Sequence, residues 1–242
     1  LPKLEKSSSY QIVGDRIGAL TEDGTFWLLN QETGWQNVEE KISAFQITKD
    51  RMAILTRDGI LRVQEDVWTG QWGVETQGVK SFSISDHRVG ALGLNGELFI
   101  IEGALSTPWV FSASDVTAFQ LIDTRIGYVD SQGSLMIQEG KLDSEWKLMA
   151  EKVKAFQLSG VRVAYLNQAD ELWVNHGNLR AEFLLQAKDV QYFQQTDDRI
   201  LVQDKNGTWQ IKQGRLYDAW KLIQVPFAEH IWLDGQISVF ME

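Results

Sequence analysis

AFQLIDTRIGYVDSQGSLMIQEGKLDSEWKLMAEKV, residues 118–153, is one complete copy of the unit from which the chain is built. Its apolar residues mostly alternate instead of recurring at three and four, which is the periodicity of strands and not of helices. The stretch predicts strand a over 119–122, a turn at Asp123-Thr124, strand b over 125–129 and a turn ending at Gly133. Strand c over 134–138, a loop around Gly140 and strand d over 146–150 complete it.

Working outward, three residue series carry the unit along the chain. Arg stands at 16, 51, 88, 125, 162 and 199, with one step of 35 and then four of 37. An aromatic recurs at Trp35, Trp72, Trp109, Trp146, Phe183 and Trp220, always 37 apart, and is expected to be core. A third series, Tyr10, Phe45, Phe82, Phe119, Phe156 and Phe193, lies six residues before each Arg. Gly24, Gly59, Gly96, Gly133 and Gly207 fall in the turn before strand c, where a tight hairpin needs positive φ, and Asp170 takes that place in the remaining unit. Asn206-Gly207-Thr208 matches an N-glycosylation pattern, but the hairpin turn accounts for it.

Four short antiparallel strands in about 40 residues make a propeller blade, because one small sheet buries its faces only when a neighbour stacks on it. The expected fold is therefore all-β, a single β-propeller domain over residues 1–242. Strands c and d occur in six complete copies, while a and b recur a seventh time near His230 and Gln236, and LPKLEK at 1–6 reads as the remainder of a strand d. Seven blades, the last closed by both termini, is the preferred reading. The alternative is six blades plus a tail, in which Asp234–Val239 imitates strand c.

Ordinary composition, with 43% hydrophobic and 23% charged residues, fits a packed globular chain, and no apolar run is long enough to span a bilayer. A formal charge of −10 opposes attraction to nucleic acid and to anionic membrane surfaces. Without cysteine there is no disulfide, thiolate metal site or cysteine nucleophile. The chain begins at Leu1 and not at Met, which reads as a chain either processed or cut from a longer parent, and an extracellular setting is favoured. His87, His176 and His230 have no metal-ligand spacing, and no catalytic motif stands outside the repeat, so neither a cofactor nor an enzymatic activity is expected.

Hairpin arithmetic places Arg51 opposite Glu65, Arg88 opposite Glu102 and Arg125 opposite Glu139, as structural ion pairs. The same arithmetic leaves Arg16, Arg162 and Arg199 opposite Asn30, His176 and Gln213. With no carboxylate partner, these three are candidates to hydrogen-bond a ligand's hydroxyl or carboxylate. Trp27 and Trp173 share a strand c place with Phe99 and are candidate ligand-stacking aromatics, although packing between blades also suits them. Trp68 falls in an apolar packing place. The loop before strand d varies most, carrying Asp143, Arg180 and Tyr217 at one place, and Tyr217 joins the candidates.

The segment Trp146–Asn178, WKLMAEKVKAFQLSGVRVAYLNQADELWVNHGN, resembles the tectonin-type propeller repeat in its Trp, following apolar strand and hairpin. Tectonin and tachylectin-like propellers are lectins, so the resemblance implies glycan binding at blade-end loops. The second expectation is a protein-recognition domain of a larger, secreted or toxin-related protein.

Overall fold

The structure, a computed structural model, describes residues 7–30, 32–65 and 71–223. Those residues form six four-stranded antiparallel sheets, each an up-and-down meander in which every strand pairs with its neighbour in sequence. The sheets span residues 7–39, 42–76, 79–113, 116–150, 153–187 and 190–223; in the unit read first, strand a begins three residues earlier than read, strand b ends one later, strand c is shifted by one and strand d begins one later. In the unit read first, the strands are Val116–Ile122, Arg125–Asp130, Leu135–Glu139 and Lys147–Ala150. The sheets fall into two compact units, Leu1–Val116 and Thr117–Glu242, with three sheets largely in each. The expected seventh blade, and the alternative tail, rest on residues 1–6 and 224–242, and Trp68 belongs to 66–70; all lie outside the described residues.

Within a unit the core lies between sheets. In the second unit one apolar cluster joins Leu135 and Ile137 of sheet 4 to Val153, Leu158 and Val163 of sheet 5, and another joins Leu172 and Val174 of sheet 5 to Phe193, Ile200 and Val202 of sheet 6. Within the units, Phe45, Phe82, Phe156 and Phe193 sit on strand a and pack against strand b of the preceding sheet, where only a small residue leaves room. A Cβ built on Gly127 meets Phe156 Cε2 at 2.8 Å, and one on Gly18 meets Phe45 Cε2 at 2.7 Å. The same strand b place holds Ala53, Gly90 and Ala164, so a small-residue series matches the aromatic one. The strand d aromatics differ from expectation. They are half-buried, and Trp72, Trp109, Phe183 and Trp220 pack against the apolar clusters without being enclosed by them.

Strand a of one sheet does not pair in a ladder with strand a of the next, so its outward backbone groups need other partners. A glutamine directly after the aromatic supplies them. Gln11 Oε1 accepts from Ile47 N at 2.7 Å while its Nε2 donates to Ile47 O at 2.9 Å. Gln46 clasps Ile84, and Gln120 clasps Leu158, in the same two-bond manner. At the last joint Gln157 Oε1 accepts from Gln195 N, and Gln195 Nε2 returns a bond to Gln157 O. A side-chain amide thus imitates a strand partner across each of these gaps.

At the opposite end of the strands, the turn between b and c holds the chain as it passes to the next sheet. Val153 N donates to Gly133 O at 2.9 Å and Val190 N to Asp170 O at 3.0 Å. Gly133 has φ +81°, and Asp170, standing in for glycine, keeps φ +59°.

Candidate functional site

The a–b and c–d connections share one end of the strands, and the Arg series lies there. Arg125 pairs with Glu139 in the ladder and donates from Nε to Glu139 Oε1 at 2.8 Å, while its Nη2 donates to Gly177 O of the following sheet at 2.6 Å. Arg51 repeats this with Glu65 and the carbonyl of Gly103, and Arg162 reaches Gly214 O. The step from Arg to Gly is 52 residues in all three. The expected ion pairs of Arg51, Arg88 and Arg125 are present, with the arginine buried and the glutamate half-exposed. Arg51 and Arg125, within their own units, also fasten one sheet to the next.

The candidate arginines separate on this basis. Arg162 is 1% exposed, donating to His176 Nδ1 at 3.1 Å, to Thr196 O at 3.4 Å and to Gly214 O. Burial lowers its pKa, against the opposing influence of Asp198 and Asp197. The expectation that it offers free donors is corrected: an imidazole nitrogen and two carbonyls replace the missing carboxylate. Arg16, half-buried, donates Nη1 to the carbonyls of Thr48 and Lys49 in the next a–b turn, and not to Asn30, whose Oδ1 accepts from Glu32 N and Thr33 N. Arg199 is different again. Its side chain is 44% exposed, and its charge partner is the adjacent Asp198, with Nε 3.8 Å from Oδ2.

Trp27 and Trp173 are half-buried on strand c, Trp173 lying between Tyr165 and Leu185 in the ladders. Their place is apolar and partly open in sheet 3 as well, where Phe99 meets Phe111 edge-on at 5.7 Å. Tyr217 is 84% exposed at the tip of a c–d loop.

These loops were legible only as variable, yet each is anchored from beneath. Gln138 Nε2 donates to Leu142 O at 2.9 Å and Ser144 O at 2.6 Å. Asn175 Nδ2 reaches the carbonyl of Ala181. In the last sheet Lys212 Nζ donates to Leu216 O at 2.9 Å and Gln186 Oε1 at 2.7 Å, and stands 4.7 Å above the Trp220 ring. Burial lowers the pKa of Lys212, with Asp218 raising it and Arg162 lowering it further. The loop backbones close on themselves through Ser144 N to Lys141 O, Ala181 N to Asn178 O and Asp218 N to Arg215 O, at 3.0–3.1 Å. The result is a fixed platform under three different exposed tips: Asp143, Arg180 and Tyr217. No group of three or more His, Asp or Glu side chains is placed to hold a metal ion among the described residues.

No protein-family model and no curated protein sequence matches the chain. Solved structures do. Prp20p from Saccharomyces cerevisiae superposes with a TM-score of 0.65 at 9% identity, over 85% of this chain and 71% of that one. The fold is a β-propeller. Hsv2 from Kluyveromyces lactis gives 0.64 at 13% identity over 88% and 75% of the two chains, and human WBSCR16 gives 0.66 at 11% over 91% and 82%. At such identities the likeness is one of fold. It identifies the six sheets as blades, and the Arg, Gln and small-residue contacts described above join successive blades within each unit.

Proposed function

We propose that this propeller is a protein-recognition module that reads its partner with the tips of the c–d loops. The observation that carries this reading is the contrast within those loops: bases held by Gln138, Asn175 and Lys212, and tips that change from carboxylate to guanidinium to phenol. Loops already fixed lose little freedom on binding, and Tyr and Arg are the side chains that most often dominate protein interfaces. A propeller of the same fold supports it, since Prp20p, the yeast RCC1, is described by its binding to Gsp1p and histones and has also been solved with Kap60 bound.

The test is quantitative proximity capture with the full chain and with the triple variant Asp143→Ala, Arg180→Ala, Tyr217→Ala. A specific partner is expected to fall by about tenfold or more with the variant, the loss of about 1.4 kcal/mol of binding, while the melting temperature is unchanged. Partners captured equally by both proteins would contradict the proposal.

A glycan ligand, as the tectonin resemblance implies, is the second reading, favoured by the exposed ring of Tyr217 flanked by Arg215 and Asp218. In that reading Arg199 and Trp173 in the second unit, and separately Arg16 and Trp27 in the first, are further candidate contacts. Saturable binding on a glycan array that is lost with Tyr217→Ala would decide for it.

A further inference from the structure

The sequence holds two Asn-Gly pairs, Asn95-Gly96 and Asn206-Gly207, and both fall at the same place in the turn between strands b and c. A glycine after asparagine favours reaction between the two, because it has no side chain to keep its backbone nitrogen away from the neighbouring amide carbon. The two turns have matching backbones. Gly96 N donates to Gly93 O at 3.1 Å and Gly207 N to Asp204 O at 2.9 Å, while Gly93 N and Asp204 N donate to Glu97 O and Thr208 O. Both asparagines are exposed.

Their side chains differ, and the last residue of strand b decides how. In blade 6 that residue is Asp204, whose Oδ1 accepts from Asn206 N at 2.9 Å and from Thr208 N at 2.8 Å. Asp130 and Asn167 hold the turns of blades 4 and 5 in the same manner. Blade 3 has Gly93 there, with no side chain to give. Asn95 folds back into that space, so that a Cβ built on Gly93 meets Asn95 Oδ1 at 2.7 Å. Its Oδ1 accepts from Glu97 N at 3.1 Å and its Nδ2 donates to Glu97 Oε2 at 2.7 Å, which locks the amide. Asn206 has no such task because Asp204 performs it, and its side-chain amide makes no hydrogen bond among the described residues. The hairpin uses Asp204 and Gly207 and leaves the Asn206 side chain spare.

We propose that Asn206 is a site of spontaneous covalent modification, deamidating to aspartate and isoaspartate, and that Asn95 is protected from the same reaction. Once its bond to Asp204 O opens, a step common to both turns, the Gly207 nitrogen attacks Asn206 Cγ and the new C–N bond closes a cyclic succinimide. The Cγ–Nδ2 bond breaks, and Nδ2 leaves as ammonia with the proton from Gly207 N. Water then opens either ring carbonyl. One opening restores the ordinary backbone with an aspartate side chain, and the other runs the chain through Cγ, longer by a methylene. Both add a negative charge beside Asp204, and the second stretches a turn whose bonds from Asn206 N and Thr208 N to Asp204 depend on its length. The site lies at the end of blade 6 opposite its c–d loop, so it goes beyond the recognition reading and stands apart from it.

The experiment incubates the folded full chain at mildly alkaline pH and follows peptides covering both pairs by mass spectrometry, with the aspartate and isoaspartate forms separated. Conversion at Asn206 is expected to be at least about tenfold faster than at Asn95, a barrier difference of about 1.4 kcal/mol. Two variants, each checked by its melting curve, exchange the determinants. Gly93→Asp is expected to release Asn95 and speed its conversion by about tenfold, and Asp204→Gly to let Asn206 fold back and slow its own by a similar factor. If one variant does not fold, the other decides. Comparable rates at the two pairs, no conversion at either, or a folded variant with unchanged rates would overturn the proposal.

Discussion

Replacing Phe193 by Ala is expected to lower the unfolding free energy by about 3–5 kcal/mol, the cost of emptying a fully enclosed aromatic site that cannot collapse. Phe193 is 1% exposed on strand a of blade 6, Val190–Gln195, and packs with Ala164, Leu166 and Val174 of blade 5. Its place over Ala164 is rigid on both sides: strand b of blade 5 is fixed by ladders to strands a and c, and strand a of blade 6 is tied to Gln157 by paired amide bonds. Neither backbone is free to move into the space a phenyl ring leaves. Urea denaturation followed by tryptophan fluorescence measures the change, and a loss below about 1 kcal/mol would mean that the joint between blades 5 and 6 is not packed as described.

Arg162→Ala is expected to cost about 1–3 kcal/mol, since it removes a side chain that is 1% exposed, with its packed aliphatic stem and its hydrogen bonds to the carbonyls of Gly214 and Thr196. His176 is exposed and regains water, so it adds little. Arg199→Ala at the equivalent place in the next blade is expected to change stability by no more than about 0.5 kcal/mol, because its guanidinium already stands in solvent beside Asp198. The pair is informative because sequence gives the two residues the same repeat position and the same lack of a carboxylate opposite. Equal losses in the two variants would contradict the assignment of Arg162 to the joint and of Arg199 to the surface.

The blade was legible because its causes are local. Alternation, the glycines that turn strand b into strand c, and a period of 37 are all visible along one line of sequence, and the hairpin register that pairs Arg125 with Glu139 follows by counting. The candidate site was less legible because its determinants lie between blades. Nothing opposite Arg162 on its own hairpin announces the carbonyl 52 residues away. Gln11, Gln46, Gln120 and Gln157 follow the aromatic series with the same period, and that signal was available. A polar residue recurring at a place expected to be buried is a sign of a repeated hydrogen bond. The strand d aromatics were read as core because a period marks a structural role without saying how deep it lies. The same limit applies to Asp143, Arg180 and Tyr217, whose variability was plain while the side chains anchoring their loops were not.

The account depends on c–d loops that are fixed from beneath and free only at their tips. Hydrogen–deuterium exchange of the full chain, read at the amides of Ser144, Ala181 and Asp218, tests this most directly. Each donates within its own loop. Protection well above that of an unstructured peptide is predicted at all three, with Gln138→Ala lowering it at Ser144 and leaving the other two unchanged. Exchange at unstructured rates in the unaltered chain would contradict the platform and the recognition role built on it.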